Sequence, residues 1–212
     1  FEAVAVYRTI GAGTVFGAPG EEPVYAKTAY VSRGFFPALG TSARLGRTLL
    51  PGEHVVGANR VVVVSHGFWQ RQLGGDPAVV GRTIRLDGAP YVVSGVMPAE
   101  FAFPAPDVAV WMPQSVLAED DVGSGRAARW LEPIARLRPG VTPEQGRAEV
   151  SALLDRLAST YPESNAGWTG VSMQPVREAI VGRVERGLLV LLGAVGLVLL
   201  VVCANVANLL LV

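Results

Sequence analysis

Residues 187–212 contain no Asp, Glu, Lys or Arg, and ten of these 26 residues are Leu and seven Val. Wound as an α-helix, such a segment is about 39 Å long, enough to cross a hydrocarbon core of about 30 Å with some tilt. Insertion of its Leu and Val is favoured by roughly 5 to 8 kcal/mol before its polar groups are counted. The segment is therefore expected to be a transmembrane helix, and the rest of the chain must fold around that fact.

Two amides interrupt the apolar run. At 100° per residue, Gly193, Gly196, Cys203, Ala204, Ala207 and Asn208 gather on one side with Ala194 and Asn205 flanking them, while Leu188, Leu191, Leu192, Val195, Val198, Leu199, Val202, Val206, Leu209 and Leu210 fill the opposite arc. Small residues let a second helix approach closely, and amides find partners across such a contact. Gly193, Gly196, Cys203, Ala204, Asn205, Ala207 and Asn208 are thus the expected helix-packing face, and the other membrane helices of the same protein are its expected partners. The chain starts at Phe1 without an initiator Met and carries only one such span, so it is expected to be a piece of a longer protein. Arg177, Arg183 and Arg186, interspersed with Glu178 and Glu185, would alone place the preceding region on the cytoplasmic side.

Residues 1–186 read as an extramembrane α+β domain, with a mixed or antiparallel sheet and packed helices, followed by residues 187–212 as a second domain. A strand is expected over 60–65, a helix over 66–73 and a turn at Gly74-Gly75-Asp76-Pro77. Ile84 and Leu86 alternate with Thr83 and Arg85, and Asp87-Gly88 turns the chain back into 91–96, a β-hairpin. Thr142, Pro143 and Gln145 form a capping box that opens a helix to about Thr160. Val150, Leu153, Leu154, Leu157 and Tyr161 share one face of it, which is expected to pack on a sheet. Further strands are expected over 25–31, 108–112, 130–137 and 171–176. Phe35, Phe36 and Leu39 are expected in the core of a short helix, with Pro104, Pro106 and residues 119–129 in loops.

The balance of 18 basic and 18 acidic residues, with no long block of one sign, argues against a nucleic-acid surface. A P-loop needs Gly-Lys-Ser/Thr, and the only lysine, Lys27, sits between Ala26 and Thr28, so this chain has no such route to ATP hydrolysis. Gly11 to Gly17, GAGTVFG, misses a dinucleotide fingerprint at Phe16 and reads as a flexible hairpin loop. His54 and His66 have no cysteine or carboxylate pair at ligand spacing, so no metal is expected, and no cofactor either. Ser65 and His66 are adjacent and read as a strand-end cap rather than as a nucleophile with its base. Cys203, the only cysteine, excludes an internal disulfide.

Four stretches in this order, VSRGFFPALGTSARLGRTLLPGE, VVVVSHGFWQRQLGGDPAVVGRTIRLDGAPYVVSGVMP, LRPGVTPEQGRAEV and LLVLLGAVGLVLLVVCANVANLLLV, together resemble the MacB-like periplasmic core domain joined to an FtsX-like permease helix, as in bacterial ABC-transporter permeases of the large duplicated type. The resemblance spans nearly the whole chain. It implies a periplasmic domain inserted after a first membrane helix, with 187–212 as the second span in the inner membrane, which reverses the side indicated by the arginines. It implies an ATPase in a partner chain or domain, a dimeric permease, membrane lipid around the span and room for a periplasmic partner. No catalytic residue is implied: the family mechanism transmits ATP-driven motion of the membrane helices to the periplasmic domains during efflux. Two rival functions are a membrane-anchored interaction module regulating a partner such as a cell-wall hydrolase, and a hydrolase using Ser65, His66 and Asp76.

Overall fold

The computed structural model describes residues 1–17, 22–117, 129–165, 167, 170–178 and 192–201, and the chain divides into two compact units, Phe1–Val171 and Ser172–Val212. In the first unit the strands are β1 (Ala3–Phe16), β2 (Val24–Val31), β3 (Leu45–Gly46), β4 (Val61–Val64), β5 (Thr83–Leu86), β6 (Ala89–Val96), β7 (Val110–Pro113) and β8 (Glu132–Arg136). The helices are α1 (Phe35–Leu39), α2 (His66–Gln72), α3 (Pro143–Thr160) and α4 (Pro162–Asn165). The mixed α+β class expected from the sequence is the one observed.

The eight strands form one sheet in the order β2-β7-β4-β6-β5-β1-β8, with β3 added to β6. Because β1 also pairs with β2, the pairings of six strands run in a ring. β2–β7 and β4–β6 are parallel and the other pairs antiparallel. The ring closes through Phe16, which pairs with Val24 of β2 and Leu86 of β5. One set of alternating side chains converges on a single core: Ala26, Tyr30, Val62, Val64, Leu86, Val93, Val110 and Met112, joined by Phe68, Trp69 and Leu73 from α2. Each fully buried Val or Leu there contributes roughly 1.5 to 3 kcal/mol of transfer free energy. On the opposite face Val63 pairs with Trp111, and an aromatic cluster of Tyr7, Phe35, Phe36, Phe101, Phe103 and Trp111 covers it, with neighbouring ring centroids from 5.3 to 6.3 Å apart.

Local chemistry explains the joints. Ser65 accepts from the Phe68 N–H at 3.1 Å and opens α2, and Asp87 and Gly88 adopt φ of 49° and 75°, the pair of positive values that a two-residue hairpin turn requires. Thr142 and Gln145 cap α3 reciprocally, as expected.

The polar centre of the β1–β2 pair has an ordered proton chain. Thr28 Oγ1 donates to the Ala26 carbonyl at 2.9 Å, so Thr14 Oγ1 is the donor across the 2.6 Å contact to Thr28. The Tyr30 hydroxyl lies beside Thr14, and burial raises its pKa.

Three expectations are corrected, and one strand is added. GAGTVFG is no loop: residues 11–16 belong to β1, and the register changes between Ile10 and Thr14. Gly13 serves that irregularity, since at φ 65° a Cβ would stand 2.7 Å from the Ala26 carbonyl oxygen. The apolar face of α3 is not packed into a sheet: Gly146 is its only buried residue, while Val150, Leu154 and Leu157 are half-buried and Leu153 and Tyr161 are 47% and 37% exposed. No strand forms over 171–176, where 171–175 lack regular structure and 176–178 are helical. The strand over residues 3–10, with its buried Ala5 and Tyr7, is an addition that the alternation in FEAVAVY could have signalled. The expected loop at 119–129 lies outside the described residues except for Arg129. The expected domain boundary at 186 also lies outside them.

Candidate functional surface

Three groups singled out in the sequence prove structural. Ser65 caps α2, the His66 ring stands edge-on to Trp69 at 5.4 Å, and Asp76 accepts from the Ala78 N–H at 2.9 Å. No hydrogen bond joins the three, so the hydrolase reading has no triad geometry to rest on. Among the described residues no group of three His, Cys, Asp or Glu could hold a metal ion.

What the first unit does present is an exposed apolar loop between β3 and β4. Leu49 is buried and pins its entry, and Asn59 is buried and donates its amide to the Ser115 carbonyl at 2.7 Å at its exit. Between them Pro51–His54 form a 3-10 turn. The Arg47 guanidinium grips Glu53 through two hydrogen bonds of 2.9 and 2.6 Å, and Glu53 also accepts the Leu50 N–H at 2.7 Å. Burial pushes the Glu53 carboxyl up, but Arg47 and the Leu50 N–H more than offset this and hold it below the ordinary carboxylate range. Beyond this clasp Val55 and Val56 are 58% and 81% exposed, and the Ala58 N–H closes their turn on the Val55 carbonyl at 3.0 Å. Arg47 also lines a shallow groove with Val61, Val80 and Val92, two of which are exposed. Sequence reading passed over this loop, because neither Pro-Gly-Glu-His nor two valines in a row carries a periodic signal.

In the second unit residues 192–201 are helical, and Leu192, Val195 and residues 197–201 are mostly exposed. Gly193 and Gly196 lie on this helix with open space where a Cβ would be. Cys203, Ala204, Asn205, Ala207 and Asn208, the rest of the expected packing face, lie outside the described residues. Among the described residues no helix is long and apolar enough to cross a membrane, and ten residues of helix measure only about 15 Å.

The first unit is thus a ring-paired α+β domain with an exposed apolar loop between β3 and β4. The family of MacB-like periplasmic core domains matches residues 1–153, and the chain belongs to that family. The match takes in the first three stretches that carry the resemblance; the fourth, FtsX-like stretch lies beyond it.

Three solved structures share the fold. The periplasmic region of MacB from Actinobacillus actinomycetemcomitans is 18% identical, with a TM-score of 0.55 over 76% of this chain and 68% of that one. A domain of a putative permease protein from Porphyromonas gingivalis is 19% identical, with a TM-score of 0.54 over 76% and 73%. The extracellular domain of the noncanonic ABC-type transporter YknZ from Gram-positive bacteria is 14% identical, with a TM-score of 0.56 over 78% and 79%. No curated protein matches the chain.

Proposed function

We propose that this chain is part of the permease subunit of an ABC-type transporter of the efflux or mechanotransmission kind. Residues 1–186 form its extracytoplasmic domain, and residues 187–212 are a membrane span that starts the FtsX-like permease domain. The observation that carries the reading is membership of the MacB-like periplasmic core domain family over 1–153. The charge-free run, with its exposed apolar helix at 192–201, supports the span.

With Lys27 as its only lysine, the chain depends on a partner ATPase whose nucleotide-driven motion reaches the domain through the membrane helices. The face carrying Gly193, Gly196, Cys203, Ala204, Asn205, Ala207 and Asn208 packs against the other spans, within a dimeric permease in the inner membrane. The loop of residues 50–59 is the domain's contact point for an extracytoplasmic partner.

Affinity purification of the native protein from detergent-solubilised membranes tests this. Recovery of an ABC ATPase, with ATP hydrolysis that changes when Val56 is replaced by Asp, is the expected result. Recovery of a cell-wall hydrolase without any ATPase would transfer the domain to the regulatory reading.

A further inference from the structure

We propose that the groove formed by Val61, Val80 and Val92 beside Arg47 receives a short extended segment of a partner protein, aliphatic at its centre and carrying carboxylates on either side.

The groove lies on the face of the sheet turned away from the core. The alternation of β5 buries Ile84 and Leu86 and exposes Thr83 and Arg85; Thr83 pairs with Val92, which pairs in turn with Val61 of β4. Val61, Val92, Thr83 and Arg85 therefore share that outer face. Val80, from the turn before β5, meets Gly46 at the end of β3, where a Cβ would stand 3.0 Å from both Val80 methyl carbons. Glycine keeps this side of the groove open. Val80 and Val92 are 39% and 40% exposed, and the groove measures about 420 Å³, within the roughly 300 to 1,000 Å³ of ligand-sized clefts.

Its rim is basic. Residues 33–86 carry seven arginines and two carboxylates, in a chain with 18 residues of each sign. Both carboxylates are engaged: Glu53 is held by the Arg47 fork, and Asp76 accepts the Ala78 N–H. Arg44, two residues before Gly46, and Arg85, on the outer face with Val92, are exposed and form no ion pair among the described residues. Charge complementarity thus asks the occupant for carboxylates, while the valine floor asks it for aliphatic side chains. Three valines fall far short of the roughly 20 to 30 residues a side of a standard protein interface, so the occupant is a segment and not a folded face.

The inference rests on the reading of this domain as one that meets an extracytoplasmic partner, and adds the partner's chemistry and a seat that Arg47 and Glu53 join to the loop of residues 50–59. Recovery of the ATPase tests that reading separately, so failure of the peptide below leaves it standing. Fluorescence anisotropy on the full chain in detergent micelles makes the test, with a fluorescein-labelled peptide that has Leu-Val-Leu between two pairs of glutamates. Saturable binding is expected, weakened several-fold when salt rises from about 50 to about 500 mM. Val92→Asp should weaken it at least about tenfold and Arg85→Glu several-fold, both at exposed positions that leave the fold and its far-UV circular dichroism unchanged. Arg71→Glu, on α2 across the sheet, should bind as the wild type does. No saturable binding, equal binding of the peptide with lysines in place of its glutamates, or binding that Val92→Asp leaves intact overturns the proposal. Dimerisation that Val92→Asp abolishes and the peptide does not oppose would give the groove to a second copy and overturn it equally. So would displacement of the peptide by phosphatidylglycerol but not by phosphatidylcholine, which would give it to a lipid surface.

Discussion

Asp87 shows how one residue can serve two joints. Its positive φ makes the β5–β6 turn, its carboxylate accepts the Val15 N–H at 2.8 Å, and its own N–H donates to the Val15 carbonyl at 2.8 Å. The turn was legible because Asp-Gly between alternating residues has few other uses; the tie to β1 was not, since those residues are 72 apart in sequence. Asp87→Ala is expected to cost about 1 to 2 kcal/mol, from the lost hydrogen bond to the Val15 N–H and a strained φ, measurable by chemical denaturation. Asp87→Asn should recover most of it. Ser65 makes the complementary case: Ser65→Ala should cost about 1 kcal/mol as a lost N-cap and leave labelling by an active-site serine probe unchanged. A serine-specific adduct on the wild-type protein alone would contradict that assignment. At Glu53 the sign is that of a depressed carboxyl: its contribution is whole above pH 4.5 and lost as pH falls through the lower folded value. Glu53→Gln should therefore lessen the acid dependence of stability below that pH.

Among the elements, β4, α2, the β5–β6 hairpin and the capped start of α3 form where the sequence places them, because each is specified by residues close together in the chain. β1 was lost to its glycines. Gly11 and Gly13 look like loop formers, yet Gly13 is there so that a register change can bring β1 against the Ala26 carbonyl. α3 fails in the opposite direction. Its periodicity correctly announces a helix, but periodicity says only that a face is apolar, not that the sheet will cover it. Paired substitutions separate the two environments. Leu86→Ala, at a fully buried position of the ring, should cost about 2 to 5 kcal/mol, whereas Leu153→Ala on α3 should cost less than about 1 kcal/mol. A large loss at Leu153 would show that its face is covered in the native assembly.

For the molecule as a whole, the decisive question is whether the apolar tail resides in lipid. If residues 187–212 span a bilayer, the chain will float with liposomes and resist extraction at alkaline pH. Val198→Arg with Leu200→Arg should then cost roughly 5 to 7 kcal/mol of insertion free energy and release it. Retention of the double variant in the membrane would count against the span.

Composition and local pattern were enough to establish the α+β class, the lack of a P-loop lysine, the caps and the hairpin, because propensity, capping and charge act over a few residues. The closure of β1 onto both β2 and β5, the exposure of the α3 face and the clasped loop with its valine tip were settled only by tertiary structure. Each depends on which distant surfaces meet, and neither a single residue nor its neighbours encode that meeting.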